Sequence, residues 1–368
     1  MLELNPSQYT PALALFENRR HMMKLTALAE GTVPGELWAD DAANPRIALA
    51  RVHNKLLLAS SLPAEELAAA CGGWLGEMAY GRAMEDADAA LLFWDGPDGR
   101  AAWERALKGH HPVYAAQECY SAPTAAVRKV DPPTGYELVP VDAALLARGL
   151  PHTDALREEM CSERPSVEDF LRHSFGVAAV RDGALAGWCL SEYNCTQGCE
   201  IGIEVRKEHQ RQGLAVAMVS AFADEAARRG IGQIGWLCQQ SNAASSATAR
   251  SAGLHKAREY GWLMCLPGMA LELAVNGDAC LGAGDAARAI QWFAQALALP
   301  DAPLWAGVEL AIAHVALGQP DEAFAALGQA LGQGFDNWGW LENDPRLEPL
   351  RLHPRWQRLP GKQTAADR

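Results

Sequence analysis

Gln210–Arg211–Gln212–Gly213–Leu214–Ala215 is the stretch on which the reading of this chain turns. Before it, Cys199 to Arg206 alternates like a strand. After it, Leu214 to Arg229 carries apolar residues at helical spacing. A glycine-bearing turn from strand into helix leaves backbone N–H groups without partners at the helix N-terminus, and the helix dipole favours negative charge there. The stretch reads as an anion cradle that grips a pyrophosphate. It is not a P-loop, because no Gly-Lys-Ser/Thr follows, and it lacks the three-glycine dinucleotide fingerprint.

The flanking elements give the cradle a direction. Cys199, Ile201, Ile203 and Val205 share one face of the strand, and Glu200, Gly202 and Glu204 share the other. The glycine between two carboxylates lets a ligand approach the backbone. A half-buried strand with one wet face would show the same alternation. In the helix, Leu214, Met218 and Phe222 recur at i+4 above a solvated face of Asp224, Glu225, Arg228 and Arg229. Gly230 supplies the stop.

Taken with these neighbours, the stretch resembles the acyl-CoA motif of the GNAT acetyltransferases, Gln/Arg-x-x-Gly-x-Gly/Ala. Gln210, Gly213 and Ala215 occupy its fixed places. Asn242–Ala243–Ala244–Ser245, closing at Gly253–Leu254, resembles the family's second motif, Asn-x-x-Ser/Ala ending in Gly-Phe. The match covers about residues 134 to 266. The chain from residue 1 also resembles a bacterial subgroup with a divergent front half, which includes antibiotic self-resistance acetyltransferases.

The resemblance implies an α/β (α+β) acyl-CoA-binding fold and acetyl-CoA as co-substrate. The reaction would be direct attack of a small-molecule amine, an antibiotic or metabolite, on the thioester. The backbone around Val205 and Arg206 would pair with the pantetheine arm. The N–H groups of Arg211, Gln212, Gly213, Leu214 and Ala215 would hold the pyrophosphate, and Asn242 and Ser245 would contact the cofactor further along. Glu200 and Glu204 are the candidates for the base, or for attracting a cationic acceptor. Many family members carry a tyrosine acid seven residues after the motif asparagine. Here that position is Ala249, so either Tyr193 or Tyr260 substitutes or no acid is needed. A second reading stays open: an acyl-CoA-binding regulatory or scaffolding protein whose helical tail binds a protein partner.

Around this centre, residues 1–130 read as a divergent α/β domain, with a degenerate copy of the same fold as one interpretation. Ser7 to about Glu30 reads as helical, and Glu65 to Ala70 as a short helix. Asp131–Pro132–Pro133–Thr134–Gly135 is the linker into a second domain at 134–268. Asp182–Gly183 marks a hairpin. From 270 to 360 the chain turns alanine-rich and helical. Ala289 and Ala323 stand 34 residues apart, the tetratricopeptide period. Two such repeats are too few to stand alone, which predicts docking or self-association. A tail rich in tryptophan and proline would cap the last helix, and the final residues from about Gly361 would fray.

Composition sets the outer limits. With 32 basic and 45 acidic residues, a formal charge of −13 argues against nucleic acid or an anionic membrane as partner. No stretch is apolar enough to span a bilayer, and Met1–Leu2–Glu3–Leu4 does not open like a secretion leader, so a cytoplasmic location is expected. Nine cysteines without a framework predict reduced thiols. Cys195 and Cys199 lack the companion ligands of a metal site, and no Gly-x-Ser-x-Gly hydrolase turn is present.

Overall fold

A computed structural model describes residues 1–16, 23–85, 87–96 and 98–362. Part of the expected helix between Ser7 and Glu30, and most of the frayed C-terminus, lie outside the described residues. The chain divides into two compact units.

The first unit comprises Met1–Leu75, Leu91–Ala106 and Tyr114–Leu263. Its strands are β1 (Leu2–Glu3), β2 (Glu36–Ala39), β3 (Ile47–Val52), β4 (Lys55–Ser60), β5 (Ala90–Trp94), β6 (Val113–Pro123), β7 (Glu137–Pro140), β8 (Gly176–Arg181), β9 (Ala184–Cys195), β10 (Gly198–Val205), β11 (Gln233–Gln239) and β12 (His255–Cys265). Its helices are α1 (Tyr9–Leu13), α2 (Met23–Ala29), α3 (Ala64–Tyr80, whose residues from Gly76 onward belong to the second unit), α4 (Gly99–Ala106), α5 (Ala143–Ala147), α6 (Thr153–Met160), α7 (Val167–His173), α8 (Leu214–Arg228) and α9 (Ala243–Ser251). α3 runs well past the short helix expected at 65–70.

Among the described residues these strands form one 12-stranded sheet, in the order β1-β2-β3-β4-β5-β12-β6-β11-β10-β9-β8-β7. Its two halves repeat one plan. β2-β3-β4, α3, β5, α4, β6 matches β8-β9-β10, α8, β11, α9, β12, and in each half the third and fourth strands run parallel. The last strand of each half sits in the other: β6 pairs with β11, and β12 lies beside β5. The linker at 131–135 therefore separates two halves of one sheet, not two separately closed layers. The pairing of β12 with β6 joins the halves and removes two free edges, which would otherwise expose unpaired backbone groups.

Local chemistry explains the second half. Asp182 and Gly183 both take left-handed φ angles, 50° and 77°, which match the twist of the β8–β9 hairpin. Val177 and Ala179 of β8 face a core shared with Met218 and Phe222 of α8. Ala178 and Val180 face another, shared with Leu156 and Phe170 of α6 and α7. Both faces of the strand are covered, so its sequence is a continuous apolar run.

The second unit comprises Gly76–Ala90, Leu107–Val113 and Met264–Arg368. It contains α10 (Met269–Gly282), α11 (Ala286–Leu297), α12 (Trp305–Ala316), α13 (Pro320–Gly332), α14 (Trp338–Asn343) and α15 (Glu348–Arg351). α10 and α11 pack closely because Gly277 has no side chain: a Cβ there would lie 2.7 Å from the Phe293 ring. Glu309 of α12, 4% exposed, accepts two hydrogen bonds from Arg346 at 2.8 and 3.0 Å. Leu341, Leu347, Leu350 and Trp356 of the tail share a core with Ile312 and Leu327 of α12 and α13.

Gly277→Ala is expected to lower stability by about 1–3 kcal/mol through overpacking. Gly328→Ala, in α13 with nothing within 4 Å of the new Cβ, should instead be neutral or stabilising by up to about 1 kcal/mol. Urea unfolding of the two variants makes the comparison.

Candidate active site

The site begins where two parallel strands part. β10 and β11 share register only at Cys199↔Ile234 and Glu200↔Gly235, although β10 continues to Val205 and β11 to Gln239. Beyond Glu200 the strands diverge, and the β10 backbone from Ile201 onward is left unpaired on that side. A cleft of about 550 Å³ opens there. Ile203, Val205 and Trp236 form one wall; the loop before α8 and one side of α9 form the others.

Of the cofactor residues proposed from sequence, Val205, Gln210, Arg211, Gly213, Leu214, Ala215, Asn242 and Ser245 all line this cleft. Arg206 and Gln212 do not. The Arg206 side chain turns to Glu208 at 3.2 Å. Gln212 accepts from the Tyr136 hydroxyl at 3.1 Å and donates to the Glu208 carbonyl at 3.3 Å.

The loop before α8 is shaped for an anion. Arg211 and Gly213 both adopt left-handed φ angles, 57° and 83°. Gly213 is the N-cap of α8, and no side chain caps it. Elsewhere Asp142, Ser166, Asn242 and Asp285 each accept a backbone N–H at the start of their helices. The first donors of α8 thus lack the side-chain acceptor that those helices have. The other half of the sheet offers a contrast: its equivalent helix, α3, carries Glu65 and Glu66 in its first turn, which repel an anion.

Further contacts brace the loop. Gln210 Nε2 donates to the Val205 carbonyl at 2.9 Å and ties the loop back to β10. Tyr136 gathers the Arg181 guanidinium at 3.1 Å and His209 Nδ1 at 2.9 Å about its hydroxyl. His209 lines the cleft; sequence reasoning missed it because its bracing partner lies 73 residues away. Asn242 caps α9 by accepting from Ser245 N at 3.0 Å, and Trp236 Nε1 donates to Ser245 Oγ at 3.0 Å. Ala249 is fully buried among core residues that include Tyr120 and Cys238.

The four candidates for proton handling lie outside the lining of the cleft. Glu200 is 3% exposed; it accepts from Met23 N at 3.2 Å, and its Oε2 lies 3.9 Å from Lys24 Nζ. Burial pushes its pKa up, Lys24 opposes that, and Glu163 adds to it. Glu204, on the same face, is exposed. Tyr193 is fully buried and donates its hydroxyl to Glu163. Its pKa is driven well above the usual value, first by burial and then by the charges of Glu163 and Glu192. Tyr260, on β12, is 6% exposed, with its ring edge-on to Phe93 and the Cys119 thiol at 3.9 Å from its hydroxyl. Strand alternation placed Glu200 on the expected face; it did not show that α2 covers that face there. Trp262 stacks on Phe93 and is buried.

Lys24 lies 5.4 Å from the Phe93 ring centroid and 5.1 Å from that of Tyr193, and it is 2% exposed. Lys24→Met would leave Glu200 buried without its cation, at a cost of about 3 kcal/mol at pH 8. A carboxyl whose folded pKa is raised is stabilised when protonated, so the penalty should shrink as pH falls from 8 toward 5. Urea unfolding across that range tests this; a penalty that does not change with pH contradicts it.

The model of the GNAT acetyltransferase family matches residues 13–263. Among solved structures, the fold is similar to a GCN5-related N-acetyltransferase-like protein from Streptococcus suis. That match has 19% identity and a TM-score of 0.52, and covers 70% of this chain and 98% of that one. A Drosophila protein is similar at 17% identity and a TM-score of 0.50, over 72% of this chain and 98% of that one. No curated protein matches. With two thirds of its length matched by the family model, the chain belongs to the GNAT acetyltransferase family.

Proposed function

We propose that this protein is an N-acetyltransferase that uses acetyl-CoA to acetylate the amine of a small molecule, such as an antibiotic or metabolite. One observation carries the reading: the uncapped N-terminus of α8, with left-handed Arg211 and Gly213 before it, opens into the cleft between the diverging strands. The space beside Gly213 is free, since a Cβ there would meet nothing within 4 Å. These features fit a diphosphate, and acetyl-CoA would supply its acetyl group as an activated thioester. The N–H groups of Leu214 and Ala215 would donate to the diphosphate. The unpaired backbone of Ile203 and Val205 would take the pantetheine amides as an added strand. Trp236 would exclude water from one wall.

A specific observation favours a second reading, an acyl-CoA-binding protein with weak or no transferase activity. No tyrosine is among the residues that line the cleft. Ala249 holds the family position of the acid, and both stand-ins are buried. In this reading the helical hairpins of the second unit, similar in spacing to tetratricopeptide repeats, bind a protein partner or a second copy. A thiol near its usual pKa of roughly 8.5 leaves tolerably without an acid, so the first reading does not require one.

Gly213→Val should weaken acetyl-CoA binding by roughly tenfold or more, about 1.4 kcal/mol. The valine would strain a left-handed position and fill the approach to the backbone. Calorimetric titration measures this, and normal affinity in a folded variant would displace the diphosphate from the α8 N-terminus. Thiol release from acetyl-CoA with a panel of amines separates the two readings: sustained turnover is expected, and tight binding without turnover on any amine favours the second.

A further inference from the structure

The face of the sheet opposite α8 holds a group of carboxylates assembled by a strand irregularity. Asn194 pairs with Cys199 and Ser191 with Ile201, so Glu192 and Tyr193 together oppose Glu200. A bulge of this kind re-aims side chains. Here it carries the Glu192 carboxylate over Gly202, where a Cβ would collide with Glu192 Oε1.

The charges that act on Glu192 come from several elements: Lys24 from α2, Lys55 from β4, Glu163 from just beyond α6 and Glu200 from β10, with Tyr193 next to it on β9. Glu159 of α6 faces Glu204 of β10 and Glu163, and Arg164 faces Tyr193 and Glu163. The cations are engaged: Lys55 is bound to Glu163, which also accepts from Tyr193; Lys24 is paired with Glu200; and the buried Arg164, beside Tyr193 and Glu163, donates to Ser174 Oγ at 3.1 Å and to the Thr32 carbonyl at 2.6 Å. Glu192 has no hydrogen bond or ion pair among the described residues. It keeps partial exposure, and beside it Glu200 Oε2 is buried without a hydrogen bond. Glu192 and Glu200 Oε2 thus leave acceptor oxygens without a hydrogen bond on this face. The group that would balance them carries positive charge and several N–H bonds.

We propose that Glu192 receives the ammonium of a small primary-amine acceptor and takes its proton, on the sheet face opposite the acetyl-CoA cleft. This rests on the acetyl-transfer reading above. β10 and β11 part after Glu200 and Gly235, and Ile203, the neighbour of Gly202, lines the cleft. The acceptor gives one proton to Glu192, and its neutral nitrogen forms a C–N bond to the thioester carbonyl carbon. The C–S bond then breaks and the thiolate leaves. The second proton lost by the nitrogen goes to the thiolate, and Glu192 returns the first to solvent. Burial, with the charges of Glu163 and Glu200, pushes the Glu192 pKa up to about 8, against Lys55 and Lys24. That value suits a group that takes and releases a proton near neutrality.

The test titrates butylamine, putrescine, spermidine and kanamycin into the full-length protein in the presence of CoA, by calorimetry. At least one should bind, and Glu192→Gln should weaken it tenfold or more. Gly202→Ala should weaken it too, because the new Cβ displaces the carboxylate without removing its charge. Binding to the unaltered protein should strengthen as pH rises through about 8, and Glu192→Gln should flatten that dependence. If no amine binds, or if Glu192→Gln binds amines as tightly as the unaltered chain, the assignment is overturned. A separate titration with acetyl-CoA distinguishes the two claims: its failure to bind counts against the transferase reading, while the amine titration still decides the role of Glu192.

Discussion

The site depends on the early parting of β10 and β11. Two parallel strands that stayed paired to their ends would fill the space now left as a cleft. In the first half of the sheet the equivalent strands do stay paired, with β4 and β5 in register at Lys55↔Leu91, Leu56↔Leu92, Leu57↔Phe93 and Leu58↔Trp94. That half also begins its following helix with Glu65 and Glu66. One plan is thus built twice but opened once, and the opened copy has the helix start suited to an anion. The closed copy contributes in another way: Lys55 pairs with Glu163, and the Phe93 ring lies 5.4 Å from Lys24 Nζ, the cation beside Glu200.

Exchange of the last strands makes the halves interdependent. Neither β6 nor β12 completes the half that precedes it in sequence, so neither half has a closed sheet by itself. The Asp131–Gly135 linker marks a change of half and not a place where the sheet could be divided. The arrangement also holds α9 firmly, because its Ser246 hydroxyl bonds Glu118 of β6 at 2.7 Å and Arg250 bonds the Tyr120 hydroxyl at 2.8 Å. α9 presents Asn242 and Ser245 to the cleft, so its fixed position matters for the site.

The lining of the cleft was largely legible in the sequence because its signals are local. A glycine in a strand-to-helix turn and an asparagine three residues before a serine act within one turn of chain. The Asp182–Gly183 hairpin was legible for the same reason. The carboxylate group on the opposite face was not, because its determinants are long-range. Strand alternation put Glu200 on the correct face but could not show that Met23 and Lys24 of α2 cover it. Nothing in Ser191–Glu192–Tyr193 announces a bulge, which exists only in the register between β9 and β10. The duplication and strand exchange were hidden for a related reason: the two halves share an order of elements without sharing motifs.

The most direct test of the account is hydrogen–deuterium exchange of the full-length protein with and without acetyl-CoA. If the α8 N-terminus holds the diphosphate, the amides from Arg211 to Val216 should show the largest slowing on ligand binding, because they gain acceptors they otherwise lack. The corresponding start of α3, around Glu65 and Glu66, should not change. Saturating acetyl-CoA that leaves exchange at 211–216 unaltered, or protects the start of α3 instead, would contradict the central claim.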